Sequence, residues 1–146
     1  SLYHSIEYPH RLEAGTLNLF GILALDECLE YLRRNAASSY AREVSLLNGL
    51  RKGLTERPRI RLYGCERPTD HLPVLTCTVD GCRPGDVAAI LDGDFGICVR
   101  AGIHCAPLVH RDLGTGAGGA VRFSPGPFTT EADIEDAVKA MHRIAR

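Results

Sequence analysis

The first third of the chain carries hydrophobic residues at helical spacing. Residues 1–16 show no period and are predicted to be irregular. Residues 19–25 are apolar on nearly every side, and the pattern becomes amphipathic as far as Leu32. This change is typical of a helix that begins buried and ends at a surface, as where two domains meet. The small polar stretch 35–39 predicts a break, so that a second helix covers residues 40–56.

The remainder of the chain alternates strand patterns with short helical patterns. Isoleucine and leucine alternate with arginine over residues 59–63, which is the period-two pattern of a half-buried strand. Thr130, followed three residues later by Asp133, predicts a capping box at the start of the last helix. The predicted strands are 59–63, 73–79, 97–99 and 120–123, and the predicted helices are 86–91, 108–113 and 130–146. This order favours an α+β fold, with helices packed on one face of a mostly antiparallel sheet.

Composition and charge exclude several classes of function. A chain of 146 residues with 45% hydrophobic and 24% charged residues suits a globular domain with its own core. The formal net charge of −1 gives no electrostatic reason to expect nucleic acid or an anionic membrane as a partner. No apolar run approaches the roughly 20 residues that a membrane-spanning helix needs.

Six cysteines raise two structural alternatives, a disulfide framework and a metal site. The apolar content is that of an ordinary core and no Cys-x-x-Cys pair is present, so neither alternative is favoured and no metal is expected. Free thiols indicate a reducing, cytoplasmic location. The patterns predict buried positions for Cys28, Cys77 and Cys98 and exposed turns for Cys65 and Cys82. Four histidines lack ligand spacing and are expected at the surface: His10, His71, His110 and His142.

The strongest chemical signal is Cys105, which follows a predicted strand in a segment punctuated by Gly102 and Pro107. Glycine and proline predict a loop, and loops at strand ends commonly present reactive groups. A thiol reacts as its thiolate, a form that cationic neighbours favour. Arg100 and His104 are such neighbours, so Cys105 is predicted to be an accessible nucleophile. The alternative is an ordinary exposed thiol.

Arg122 is a second candidate, because it lies in a predicted strand between Val121 and Phe123. An arginine among apolar neighbours is costly unless it is paired, and its planar guanidinium suits bidentate capture of a carboxylate. The residues themselves leave two interpretations equally open. One is a substrate carboxylate, and the other is an ion pair with an acidic residue of this chain.

Three segments carry a family resemblance. Residues 100–106, with the sequence Arg-Ala-Gly-Ile-His-Cys-Ala, resemble the cysteine loop of the cysteine desulfurases, which are pyridoxal-phosphate enzymes of the class V aminotransferase group. Residues 11–18 are similar to that family's Arg-Phe-Glu-Ala-Gly-Thr-Pro-Asn stretch, and residues 118–124 resemble its segment with a substrate-binding arginine. The order and spacing of the three segments agree with the family across nearly the whole chain.

The resemblance implies a fold, a reaction and a set of partners. Residues 37–146 are expected to form the small carboxy-terminal domain of a fold-type I pyridoxal-phosphate enzyme, and residues 1–36 the tail of the large domain with its connecting helix. The implied reaction removes sulfur from L-cysteine, giving L-alanine and an enzyme persulfide. The implied partners are a second copy of the chain in a homodimer and a sulfur-acceptor protein.

The resemblance also implies residue roles. Cys105 is the nucleophile that carries the persulfide, and Arg122 anchors the substrate carboxylate. Arg100 is a weaker substrate contact, with positioning of the loop as its alternative. His104 assists proton transfer or packs the loop. Thr16 reaches the cofactor phosphate across the dimer, with a turn or helix-cap role as its alternative.

Two features depart from the family pattern. The family holds its cofactor as a Schiff base on a lysine upstream of residues 11–18, whereas Lys52 and Lys139 both lie on the polar sides of predicted helices. The chain is therefore expected to be a carboxy-terminal fragment that binds no cofactor and is inactive by itself. The first histidine of the family's His-His-Cys triplet is Ile103 here. This leaves three alternatives open: a selenocysteine lyase, another class V aminotransferase-type reaction and, for the isolated chain, a non-catalytic docking domain.

Overall fold

The computed structural model describes residues 6–13, 15–64 and 72–146 of the chain. Contacts within the chain divide it into two compact units, Ser1–Ala36 and Ala37–Arg146. The division into the tail of a large domain and a small domain, made above at the same boundary, stays a prediction.

The described residues of the first unit form one 3₁₀ turn, His10–Leu12, and the beginning of helix α1, Leu19–Thr55. The side chain of Asn18 accepts a hydrogen bond of 3.0 Å from the backbone N–H of Gly21, which caps the start of the helix. The expectation that residues 19–25 begin buried is wrong, and so is the expectation for Cys28, since these side chains are exposed. A single helical segment offers no second layer against which an apolar face could be buried.

Helix α1 runs through the stretch 35–39 without the predicted break. No glycine or proline lies between Gly21 and Gly49, and small residues such as alanine favour the helical state. Polar side chains in this region also bond within the helix. Glu30 accepts hydrogen bonds from the guanidinium groups of Arg33 and Arg34, at 2.7–2.8 Å. Local polarity therefore predicted an interruption that the backbone does not require.

The second unit is built on a four-stranded antiparallel sheet, which confirms the α+β fold predicted from the sequence. The strands are β1 (Ile60–Tyr63), β2 (Leu75–Val79), β3 (Arg100–Gly102) and β4 (Ala120–Phe123). Their order in the sheet is β1-β2-β4-β3. The helices are the second part of α1, then α2 (Pro84–Phe95), α3 (Pro107–Asp112) and α4 (Glu131–Ile144).

Helices and alternate strand residues enclose one hydrophobic core. In β2, Leu75, Cys77 and Val79 are buried, while the two threonines between them are only half-buried. The largest fully buried side chains include Leu50 and Leu54 of α1, Leu91 of α2 and Met141 of α4. Each such side chain contributes about 1.5–3 kcal/mol when it leaves water. Burial also raises the pKa of the Cys77 thiol to about 12, so that this cysteine is an inert packing residue, as predicted.

Strand β3 begins three residues later than predicted. Helix α2 extends to Phe95 and ends at Gly96, which has a positive φ of 65°, and the N–H of Ile97 returns to the carbonyl of Leu91 at 2.9 Å. Ile97 and Val99 pack against the core from this irregular segment, while Cys98 between them is exposed rather than buried. Burial does alternate along residues 97–99, but the backbone pairs with β4 only from Arg100 onward.

The last helix follows its sequence signal closely. Thr130 is the N-cap, and its side chain and that of Asp133 form the predicted capping box. Two side chains expected at the surface are half-buried instead. Cys82 packs against the core, and His142 bonds through Nε2 to the carbonyl of Gly53 at 2.8 Å. Cys65 and His71 lie outside the described residues.

In the part of the chain that the structure describes, no helix is both long enough and apolar enough to cross a membrane.

Candidate active site

Two arginines lie opposite each other on neighbouring strands of the sheet. The register between β3 and β4 pairs Arg100 with Arg122, and the register between β2 and β4 pairs Arg122 with Thr76. Directly paired residues share one face of a sheet, and successive residues point to opposite faces. Since Val121 and Phe123 are buried in the core, the arginines project from the opposite face.

This arrangement of charge is unfavourable as it stands. Like charges directly opposite each other destabilise a strand pair. Among the described residues, neither arginine forms a salt bridge, and the Nε atom of Arg122 is buried without a hydrogen-bond partner. A buried donor without a partner costs about 1–3 kcal/mol. An anion bound between the two guanidinium groups would relieve both costs.

Cys105 lies in a left-handed turn directly after β3. His104 and Cys105 have φ angles of 53° and 59°, a region that residues with a β-carbon rarely adopt. The N–H of Ala106 closes the turn on the carbonyl of Ile103 at 2.9 Å, and α3 then begins at Pro107. The thiol is exposed. The chain thus presents the cysteine on a tight, defined turn at the end of a strand.

A close approach of two backbones fixes the entry to this turn. A β-carbon placed on Gly119 would lie 2.1 Å from the carbonyl carbon and oxygen of Gly102 and 2.7 Å from the nitrogen of Ile103. The φ of Gly119 is also positive, at 69°. Glycine is therefore required at this position for both space and conformation. The contact packs the residue just before β4 against the start of the cysteine turn.

His104 has a lowered pKa. Its burial is the main cause, and a backbone hydrogen bond with Arg100 opposes the shift. The positive charges of Arg122, His110 and Arg100 lower the pKa further. The Nε2 atom of His104 is buried and has no hydrogen-bond partner. A neutral imidazole with a free ring nitrogen can accept a proton at neutral pH.

His110 was expected at the surface, and that expectation is wrong. It is 4% exposed, its Nδ1 atom lies 2.7 Å from the hydroxyl of Thr115, and its ring centroid lies 5.6 Å from that of His104. A six-residue helix is too short for its hydrophobic period to indicate which side is buried. The bond to Thr115 depends on a loop that folds back, and no sequence signal marks it.

Three predicted residues lie elsewhere in the chain, one in the first unit and two on helices of the second. Thr16 belongs to the first unit, where it is exposed in a bend after Gly15. Lys52 and Lys139 are exposed, and Lys139 donates to Asp136 at 3.0 Å. That hydrogen bond is the main reason why the pKa of Lys139 is raised. A lysine that forms a Schiff base needs a neutral amine, so Lys139 does not fit pyridoxal phosphate.

The thiols and acids of the described residues give no alternative site for a metal. Among the residues outside the gaps at 1–5, 14 and 65–71, no three histidine, cysteine or acidic side chains form a group that could hold an ion. The cysteines among the described residues are free thiols: Cys28, Cys77, Cys82, Cys98 and Cys105.

The sequence model of the aminotransferase class-V family matches residues 1–137 of this chain. The chain therefore belongs to the aminotransferase class-V family. The proteins to which it is similar include cysteine desulfurases. The chain is 33% identical to cysteine desulfurase CsdA of Escherichia coli over 92% of its own length, and 30% identical to a probable cysteine desulfurase of Methanothermobacter thermautotrophicus over 95%.

Solved structures give the same relationship. The structure of a cysteine desulfurase from Thermococcus onnurineus matches 94% of this chain with a TM-score of 0.80 and 35% identity. The matched part is 34% of the length of that desulfurase. The structure of CsdA from Escherichia coli matches 92% of the chain with a TM-score of 0.76 and 31% identity, through 32% of its length. The chain spans 32% and 35% of the two curated relatives named above, about a third of each.

Proposed function

We propose that this chain is the carboxy-terminal, cysteine-bearing part of a cysteine desulfurase, in which sulfur from L-cysteine is transferred to Cys105. One observation carries the proposal. An exposed thiol on a left-handed turn follows the strand whose Arg100 opposes Arg122, and neither arginine has an acidic partner among the described residues. The similarity to cysteine desulfurases across nearly the whole chain supports it.

The reaction balances with the substrate and one thiol. A new S–S bond joins Sγ of Cys105 to the substrate sulfur as the substrate's C–S bond breaks. The electron pair of that C–S bond stays with carbon, which takes up a proton. One enzyme thiol and one L-cysteine thus give one enzyme persulfide and one L-alanine, and the persulfide sulfur then passes to an acceptor protein.

Four side chains divide the tasks of binding, attack and proton transfer. Arg122 binds the substrate carboxylate through its planar guanidinium, with Arg100 as the second cation on the facing strand. The exposed thiol of Cys105 attacks as its thiolate. His104, kept neutral at neutral pH by the lowering of its pKa, accepts a proton at Nε2. These groups bind, orient and deprotonate, which are contributions that the second unit can make by itself.

Pyridoxal phosphate would be held mainly outside the described residues. Neither lysine of this chain suits the Schiff base, so we place that lysine in a part of the protein beyond this segment. Thr16 would contribute its hydroxyl to the phosphate in a partner subunit of a homodimer. It follows that the 146-residue chain alone is inactive.

Two assays test the proposal together. The isolated chain, mixed with pyridoxal phosphate and L-cysteine, should release sulfide and alanine only at the rate of the free cofactor. The protein that joins this segment to its lysine-bearing domain should form alanine in a one-to-one ratio with a persulfide that mass spectrometry maps to Cys105. Activity with selenocysteine but no persulfide from L-cysteine would contradict the assignment, and so would turnover by the isolated chain.

A further inference from the structure

One buried polar residue has no role in the proposed reaction. Within the described ranges, His110 is the only polar or charged residue that is buried, at 4% exposure. Buried polar groups are costly unless their hydrogen bonds are satisfied, so a histidine at this position needs a structural reason. Its ring bonds to Thr115 on one side and lies against His104 of the cysteine turn on the other.

Thr115 holds the ring of His110 in one orientation. The hydroxyl of Thr115 donates to the backbone carbonyl of His110 at 3.3 Å, and the N–H of Thr115 donates to the same carbonyl at 3.1 Å. The hydroxyl oxygen of Thr115 also lies 2.7 Å from Nδ1 of His110, where the tautomer of the ring decides which atom donates. Together these bonds hold the ring in one orientation.

The fixed ring of His110 lies against His104. The two ring centroids are 5.6 Å apart, and the ring planes make an angle of 57°. His104 and Cys105 together form the left-handed turn, a backbone conformation that is strained for residues other than glycine. Such a turn persists only where its surroundings impose it. The backbone at Gly119 contacts Gly102 and Ile103, the residues that lead into the turn. His110 packs against His104, the first of the two strained residues.

We propose that His110, held by Thr115, is a positioning residue that fixes the His104 ring and the left-handed turn presenting Cys105. The inference deepens the proposed function, since it assumes that the turn matters because Cys105 is the nucleophile. His110 does not touch the substrate sulfur in this role. It acts through His104 and through the backbone geometry of the turn.

The amide of Ala106 provides the first test, because it closes the turn on the carbonyl of Ile103. In the 146-residue chain, Thr115→Val removes the hydroxyl and keeps the side-chain shape. Hydrogen exchange at the Ala106 amide should become about tenfold faster, which corresponds to 1.4 kcal/mol. Thr115→Ser restores a hydroxyl and should return the rate to that of the unsubstituted chain.

Two further variants separate positioning from general stability. His110→Phe keeps an aromatic ring but removes the bond to Thr115, and it should also speed exchange at Ala106. His142→Phe is the matched control, since it removes a half-buried histidine with a single hydrogen bond on α4. It should leave exchange at Ala106 unchanged relative to the amides of β4, which report the stability of the whole unit.

The titration of His104, followed by NMR, gives a second readout that a purely structural role would not move. The charged groups facing His104 are Arg100 from β3, Arg122 from β4 and His110 from α3. His110→Phe removes the imidazole that helps to lower the pKa of His104, so this variant should raise that pKa, and His142→Phe should not.

The proposal is overturned if exchange at Ala106 in Thr115→Val stays within about twofold of the unsubstituted chain, whatever His104 does. It is also overturned if Thr115→Ser fails to restore the slow rate. Should His110→Phe fail to fold, the two threonine variants decide the question alone. Neither readout requires turnover. The absence of desulfurase activity in the protein that joins this segment to its lysine-bearing domain would therefore refute the proposed function and leave this inference standing.

Discussion

The two faces of the four-stranded sheet are made by alternate residues of the same strands, yet they differ in how completely their atoms are satisfied. On the core face, side chains such as Cys77 and Val121 are fully buried among apolar neighbours. On the other face, Arg100 and Arg122 oppose each other without a described acidic partner, and a buried guanidinium nitrogen has no acceptor. One face lowers the free energy of the folded chain, and the other raises it.

This difference shows where binding can be expected. An unfavourable charge pair persists in a fold when the core supplies enough stability to hold it, and a ligand of opposite charge recovers the cost. The cysteine turn obeys the same logic, because its strained conformation is imposed by Gly119 and His110 rather than by the local preferences of its own residues. Substitutions on the two faces should therefore have separable effects, on stability for one face and on chemistry for the other.

Removing the thiol should have the largest effect on chemistry and almost none on the fold. In the protein that carries this segment with its cofactor domain, Cys105→Ala should lower persulfide formation by a thousandfold or more, on the order expected for loss of a nucleophile. The melting temperature should not change, because the thiol is exposed. Cys98→Ala removes another exposed thiol and is the control. Comparable losses in both variants would show that exposure, and not position on the turn, determines reactivity.

Removing core volume should do the reverse. Leu91→Ala on α2 empties a fully buried position and should cost about 2–5 kcal/mol of unfolding free energy, measured by urea denaturation. Ile90→Ala, at the neighbouring position that is 39% exposed, should cost less than about 1 kcal/mol. At temperatures well below melting, both variants should keep the alkylation rate of Cys105. A large change in that rate in folded Leu91→Ala would mean that the two faces are not independent.

Changing the shape of the proposed carboxylate anchor should have an intermediate effect. Arg122→Lys keeps the charge and loses the planar fork, which should weaken apparent affinity for L-cysteine by roughly ten- to a hundredfold, or about 1.5–3 kcal/mol. Arg61→Lys, an exposed arginine of β1, is the matched control and should leave affinity unchanged. The melting temperature should move little in either variant. A clear drop in melting temperature with affinity intact would instead indicate an internal ion pair for Arg122.

Local patterns predicted the parts of this fold that depend on neighbouring residues. Strand β4, Ala120–Phe123, and the capping box of Thr130 and Asp133 appear where the sequence indicated, because alternation and capping are decided within a few residues. The break at 35–39 was wrong because polar composition does not by itself interrupt a helix. Strand β3 was misplaced because its limits are set by pairing with β4, which lies far along the chain.

The candidate site divides in the same way. Cys105, His104 and the two arginines were identified from their residue types and from the family resemblance, and their roles stay predictions. The pairing of Arg100 with Arg122 could not be predicted, since it follows from the register of β3 against β4. The burial of His110 and its bond to Thr115 depend on a loop returning to a short helix, so residue type alone suggested the surface.

The smallest expected effect concerns the pH dependence of stability. The pKa of His104 in the folded chain is lowered from its ordinary value of 6.5, mainly by burial. Below pH 6.5 the unfolded chain binds a proton at this position before the folded chain does, so protons favour unfolding. Stability from this source is present above pH 6.5 and is lost as the pH falls toward the lowered folded value. His104→Gln should remove that part of the pH dependence.

Urea denaturation of the chain and of His104→Gln, at a series of pH values from 7.5 to about 5, measures the difference directly. The unsubstituted chain should lose more stability than the variant across this range, since the other titrating groups are common to both. Parallel curves would mean that His104 titrates alike in the folded and unfolded chain. In that case the site would differ from the core face through its two arginines and its strained turn, and burial would not be what keeps His104 neutral.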